Sequence, residues 1–410
     1  MNRLPLLLRR SAALLLGMAL LAVAAPPRVQ GQQLAKYGAD FLAGGVGARA
    51  IGLGGAYTGL ARDVTAGYWN AAGLAQMDYP EIGYMHVERF GGVVSFDYAG
   101  AAFPVGDRAT LGVMAVRSGV NDIVNTLDAY NPDTGQPNPN YQAQITRFSA
   151  ADYLFGLSYA RRVSGRLSIG GTGKVTRRSI GDFADAWGYS VDAGAQYRVA
   201  GALADDDRLT LGLQVQDAIP YMQSWSVNPD AFAVDCRDDD GEPYDACLDE
   251  NGELIEGNAA RYDSLFGQQI PEGQTEIVTP VARLGSGWTV PVSENGSNVT
   301  LALGADVRFE GRRAFLLNAG DVSFEPRVGA EFDYRGTVAV RGGINRVQYS
   351  DPLGWDLTPS VGAGLNLEQF SINYAFGDFG GASSGLGYSH RISARLRLEQ
   401  PALRRDGAEE

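Results

Sequence analysis

Histidine and cysteine are nearly missing from this chain, whose 410 residues hold two of each: His86 and His390, Cys236 and Cys247. A serine hydrolase needs a nucleophile within reach of an imidazole, and a polar group to orient that imidazole. Both histidines instead share the strand phase of Ile82, Tyr84, Tyr388 and Ile392, the place of an interfacial aromatic girdle. Phosphate cradles are lacking too. After Gly52-Leu53-Gly54 the third glycine of a dinucleotide loop is replaced by Tyr57, and Gly173-Lys174 is followed by Val175 rather than serine or threonine. These absences argue against an enzyme, and no catalytic residue is assigned.

Positive charge is in deficit. The formal net charge of -13 leaves no basic surplus to displace counterions from phosphates, which excludes nucleic acid as a partner. Long apolar runs are absent beyond the first 31 residues, so no membrane helix is expected, although 45% of residues are hydrophobic. Those first residues carry Arg3, Arg9 and Arg10, then an apolar run from Ala12 to Ala25. Cleavage sites follow at Ala22-Val23-Ala24 and Val29-Gln30-Gly31. This is the pattern of a secretory signal peptide spanning residues 1–31, cut after Ala24 or Gly31. No cysteine follows it, which excludes a lipoprotein anchor.

What the chain has in abundance is alternation. Val299, Leu301, Leu303, Ala305, Val307 and Phe309 share one face, and Thr300, Asp306, Arg308 and Glu310 the other. Period two means strand. Glycine, proline, asparagine and aspartate clusters divide the chain into strands near 81–89, 92–103, 108–118, 147–163, 166–179, 186–199, 207–217, 276–285, 298–310, 321–334, 337–347, 356–367, 369–377 and 386–398. Fourteen strands of this length predict an all-β fold, a 14-stranded antiparallel transmembrane β-barrel over residues 79–398. Its long outer loops are 119–146 and 218–275, and 399–410 form a periplasmic tail. The charged residues Asp306, Arg308, Glu310, Arg327, Glu331, Asp333, Arg341, Arg391 and Arg395 are expected in the lumen, pairing across strands around a plug.

Between the leader and the first strand, residues 32–78 are rich in glycine and alanine, as a small plug of tight bends requires. The wording there is specific: Gly47-Ala48-Arg49-Ala50, Gly52-Leu53-Gly54-Gly55-Ala56, Asp63-Val64 and Tyr68-Trp69-Asn70-Ala71-Ala72-Gly73-Leu74-Ala75. This block resembles the N-terminal hatch of the PorV/PorQ family, a branch of the FadL-like outer-membrane barrels. The resemblance implies hatch roles for Arg49, Gly54, Gly55, Asp63, Asn70, Ala71, Ala72 and Gly73. The family commonly has Asn-Pro-Ala where this chain has Asn70-Ala71-Ala72, so the stiffening of proline is missing.

The loop at 218–275 carries an internal repeat: Cys236, Asp238, Asp240, Gly241 and Glu242 recur as Cys247, Asp249, Asn251, Gly252 and Glu253. In an oxidising compartment the two cysteines can pair. Alternate oxygen ligands before a glycine turn also suit calcium, with Asp238, Asp240, Glu242, Asp249, Asn251 and Glu253 as ligands, against the plainer reading of a solvated acidic loop. No other cofactor is expected.

Two functions follow from the resemblance. One is a non-enzymatic component of protein export in the bacterial outer membrane, docking a type IX-like translocon or exported cargo on loop 218–275. The other is a FadL-like channel for hydrophobic small molecules such as fatty acids. In that case the molecule passes the hatch, which moves between Gly44 and Gly73, or leaves through a gap in the wall. Both place the barrel in outer-membrane lipid.

Overall fold

The computed structural model describes residues 33–34, 40–200, 208–238, 240–255, 259–261, 265, 270, 273–309, 317–319, 322–350, 354–378 and 388–405. The expected signal peptide, most of the connection at 311–320 and the last five residues lie outside them.

Each strand hydrogen-bonds its sequence neighbour, antiparallel throughout. They are β1 (Glu81–Arg89), β2 (Val94–Val105), β3 (Ala109–Asn125), β4 (Thr146–Arg162), β5 (Leu167–Ile180), β6 (Ala184–Ala200) and β7 (Arg208–Val227). The second half comprises β8 (Val281–Pro291), β9 (Asn298–Arg308), β10 (Val322–Tyr334), β11 (Val338–Ser350), β12 (Gly354–Leu367), β13 (Phe370–Asp378) and β14 (Tyr388–Arg397). Pairing of β14 with β1, as Ile392 opposite His86, and of β7 with β8, as Leu213 opposite Leu284, leaves no edge and closes a fourteen-stranded barrel.

The alternation read from sequence sets the two faces. On β9 Leu301 and Leu303 point outward while Thr300, Ala302 and Asp306 are buried inside. On β4 Phe155, Leu157 and Tyr159 point outward and Leu154, Ser158 and Ala160 inward. Leu157 is 62% and Leu303 60% exposed, and side chains like these recur around the wall. An apolar belt so continuous belongs in hydrocarbon, not water.

Short turns lie at the end where the chain enters β1, for instance at 163–166, 335–337 and 368–369. The long connections, 126–145 and 228–274, lie at the other end. By the rule for such barrels the first end is inner and the second outer. Residues 398–405 fold back over the inner end. There Arg405 is buried and donates to the Met77 carbonyl at 2.8 Å and the Thr110 hydroxyl at 2.6 Å.

β3, β7 and β8 run well past their expected ends, reaching Asn125 rather than 118, Val227 rather than 217 and Pro291 rather than 285. β8 also starts at Val281 rather than 276, after the separate strand Thr275–Val278. β3 and β7 each contain a bulge at an aspartate in the left-handed region, Asp122 with φ 58° and Asp217 with φ 56°. A bulge shifts the phase by one residue, so the inner face changes from even to odd positions and alternation breaks in the sequence. Beyond Asp217, β7 pairs with Thr275–Val278, whose other edge takes Gln33–Leu34 in parallel.

Candidate functional site

The lumen is filled by residues 40–77, most of them buried. Two short helices, α1 (Ala48–Gly52) and α2 (Ala66–Trp69), are joined by tight turns, and a 3₁₀ segment at Ala71–Gln76 leads to the wall. Small residues make the packing possible. A β-carbon on Gly73 would sit 1.8 Å from the Ala61 carbonyl oxygen, so the hatch cannot close on itself with any other residue there.

The hatch also touches the wall backbone to backbone. β-Carbons on Gly212, Gly285, Gly329 and Gly343 would lie within 2.7 Å of hatch backbone atoms of Thr58, Gly59, Leu53 and Gly54. These wall glycines form a belt facing inward from β7, β8, β10 and β11. Glycine in a strand interior, otherwise weakening, here permits close approach.

Side chains fasten what the belt brings together. Buried Asn70 donates its amide to the carbonyls of Thr58 and Ala195, both at 3.1 Å, and accepts from the Ala72 N–H. Arg49 forks onto Glu331 at 2.7 and 3.0 Å, and Glu331 also receives Arg341. Asp63 accepts from Tyr57 at 2.9 Å and Arg395 at 3.0 Å. Burial acts to raise the Asp63 carboxyl, but Arg395, the Thr65 hydroxyl and Arg49 outweigh it and hold the group below its ordinary value. Around the hatch, Lys174 bridges Asp192 and Asp217 at 2.7 Å each, and Arg327 meets Asp306 at 2.7 Å. An ion-pair lattice thus occupies the lumen through Asp306, Arg327, Glu331, Arg341 and Arg395 of the charged residues expected there, while Glu310 lies outside the described residues.

Toward the outer end the lumen changes character. A cavity of about 610 Å³ is lined by Leu127, Phe148, Ile180, Phe183, Trp225 and Phe232, with Asn125, Gln274 and Glu276 as its polar members. Phe148 has the inward phase of Leu154. Beyond the β7 bulge Trp225 has that of buried Tyr221 and Gln223. Phe183 stacks edge-on against Phe148 and tilted against Phe232, ring centres 5.0 Å apart in each case. The Arg178 guanidinium covers Trp225 at 5.4 Å while paired with Asp152, so its charge is met. A second cavity of about 170 Å³ shares Ile180 and runs along Val120, Asp152 and Arg178 beside the β3 bulge.

Above this chamber the repeat in the outer loop forms a knob. Cys236 and Cys247 are joined by a disulfide and buried with Tyr244 and Ala260. The knob rests on the other long loop, where Asp133 accepts from the backbone of Asp245 and Ala246 at 3.0 and 2.6 Å. The six residues read as calcium ligands stand in two successive turns of the knob. Asp238 Oδ1 accepts the N–H of Asp240 and Glu242, and Asp249 Oδ1 those of Asn251 and Glu253. Among the described residues no three acidic, histidine or cysteine side chains are placed to hold a metal ion. The repeat is two aspartate-capped turns, and backbone hydrogen bonds hold the Asp249 carboxyl below its ordinary value.

The histidines lie on the outer wall. His86 contacts Asp97 at 2.8 Å and His390 contacts the Tyr374 hydroxyl at 2.7 Å, both in the outward phase and away from the lumen. The chamber aromatics were not singled out by sequence. They stand at strand ends and in loops, where a period-two pattern has stopped, and converge only when the barrel closes.

A closed barrel with an apolar outer belt, a charged interior and a luminal hatch is an outer-membrane β-barrel. Among solved structures it is similar to the CymD monoaromatic hydrocarbon channel, at 14% identity and TM-score 0.47, covering 87% of this chain and 98% of that one. It is also similar to a Pseudomonas aeruginosa FadL homologue, at 12% identity and TM-score 0.43, covering 86% and 98%. A third is the Pseudomonas putida toluene transporter TodX, at 12% identity and TM-score 0.44, covering 86% and 97%. No protein-family model matches the chain, and no curated protein matches it.

Proposed function

We propose that the protein is an uptake channel for hydrophobic small molecules. The observation that carries this reading is the chamber of about 610 Å³ at the outer mouth, lined mainly by phenylalanine, tryptophan and aliphatic side chains. Ligand sites of this kind are concave, apolar and a few hundred Å³ or more in volume. A loop that only docks a protein cargo has no need of an apolar chamber opening toward the lumen, so the chamber favours uptake over export. A molecule leaving water at the knob enters between Phe148, Phe183 and Phe232, then reaches the smaller cavity beside the β3 bulge. The hatch below, fixed by its backbone contacts with the wall, keeps the lumen closed to water-soluble solutes.

The test is transfer of a neutral aromatic fluorophore into liposomes carrying the purified barrel. Faster uptake than in empty liposomes, competed by other apolar molecules, is the expected result. Uptake equal to that of empty liposomes contradicts the proposal.

A further inference from the structure

At the inner end, opposite the chamber, an open vestibule of about 520 Å³ lies beneath the hatch. Its wall mixes cations and acids, and the acids nearest the hatch are committed. Glu331 is held by Arg49 and Arg341, and Glu81 receives Arg397 at 3.1 Å with Arg395 at 3.8 Å. To one side opens a recess of about 90 Å³ with a different composition, sharing Arg62, Gln76, Thr289 and Asn298 with the vestibule. Arg62 of the hatch and Arg208 at the start of β7 both line it, with Gln76, Gln196, Thr210 and Thr289, and no acid is among its lining residues.

Both arginines are exposed to this space, and neither has an ion pair among the described residues. Glu331, the acid whose field reaches Arg62, has both oxygens engaged elsewhere. Asp205, Asp206 and Asp207 precede Arg208 in the chain and lie outside the described residues. The recess is held open by fixed contacts. Gln196 donates to the hatch carbonyls of Thr58 and Ala61 at 3.1 and 2.8 Å, and Gln76 donates to Gln196 at 2.6 Å.

Two guanidinium groups facing one small polar space repel each other unless an anion lies between them, and the planar fork of each matches two oxygens of one acid group. At about 30 Å³ for each water displaced, the recess has room for roughly three waters, or one compact oxyanion in their place. We propose that this recess is an anion-binding site that takes a single carboxylate or phosphate group presented from the inner end of the barrel. It goes beyond the uptake reading, because it lies on the other side of the hatch from the apolar chamber and recognises charge.

The experiment titrates inorganic phosphate, acetate and chloride separately into the detergent-purified full-length barrel at constant ionic strength, following the temperature at which the barrel loses its compact gel migration. A saturable upward shift with phosphate or acetate, absent with chloride, is expected. Phosphate alone acting identifies a phosphate site, and acetate also acting identifies a carboxylate site. Arg62→Gln is expected to weaken binding at least tenfold. Asn298→Asp, nearly isosteric, keeps both arginines and adds a negative charge to the recess, so it should do the same even if Arg62→Gln fails to fold. Equal shifts from all three anions, shifts that do not saturate, or shifts unchanged in the folded variants would overturn the proposal.

Discussion

A β-carbon on Gly329 of the barrel wall would stand 2.3 Å from the carbonyl oxygen of Leu53 in the hatch, so hatch and wall share a contact only glycine allows. Gly329→Ala forces one of the two backbones to move, an overpacking cost of about 1–3 kcal/mol. Because the strand hydrogen bonds are untouched, the barrel should still migrate as a compact form on unheated gels while the hatch becomes accessible to protease. A hatch as resistant as in the parent protein contradicts the close approach.

Substituting Asn70 and Gly73 together acts on the other anchor. Asn70→Ala removes the amide donor from the Ala195 carbonyl and one of two from the Thr58 carbonyl, which keeps Gln196, at about 0.5–1.5 kcal/mol per hydrogen bond, and Gly73→Ala drives a methyl into the Ala61 carbonyl. Liposomes carrying the double variant should admit a small water-soluble dye that the parent excludes. Unchanged dye influx would show that other contacts hold the hatch.

Asp63 links the hatch to pH. Its carboxyl lies below the ordinary value in the folded protein, so its contribution is complete above about pH 3.9 and is lost as pH falls through the depressed value. Dye influx through the parent barrel should stay flat from neutrality to about pH 4 and rise only below it. A rise near pH 6 would assign the hatch contact to a different group.

How far the sequence reaches is plain from these residues. Leu301 and Leu303 alternate with Thr300 and Ala302, and that local pattern was enough for the number of strands and, away from the bulges, for their two faces. Arg49, Asp63 and Asn70 stood out through the hatch wording. Glu331 and Arg395 were expected in the lumen from their strand phase, but their pairing with Arg49 and Asp63, and the contact of Asn70 with Ala195, were not, because long-range pairing leaves no local trace. Gly212, Gly285, Gly329 and Gly343 carried a signal that could have been used: glycines at inward positions of otherwise good strands mark where another backbone will lie. The bulges at Asp122 and Asp217 hid the strand extensions, and with them the chamber.

The knob offers an independent check on how outer loop and barrel divide the structure. The Cys236–Cys247 link closes a short loop, and on the chain-entropy view contributes roughly 2–3 kcal/mol to the knob alone. Replacing both cysteines with serine, or deleting residues 232–257, should leave the compact gel form intact, since that form depends on the strand ladder. The serine variant should be cleaved within the knob faster than the parent. Loss of the compact form in either variant would make the loop part of the barrel's stability.

Phe183 sits between two aromatic neighbours in the chamber. Phe183→Glu places a charge where an apolar ligand would lie. Binding of a neutral aromatic probe should weaken at least tenfold, or about 1.4 kcal/mol, with the barrel still folded. Binding unchanged by the charge would remove the chamber from the route.

The most direct measurement is mass spectrometry of the protein purified from its own membrane in mild detergent, with small molecules and proteins identified in the same preparation. The uptake account predicts a bound apolar molecule that is lost in Phe183→Glu, with no stoichiometric protein partner. A large membrane partner or exported cargo at one-to-one stoichiometry, with no apolar molecule bound, would contradict it and return the outer loops to a docking role.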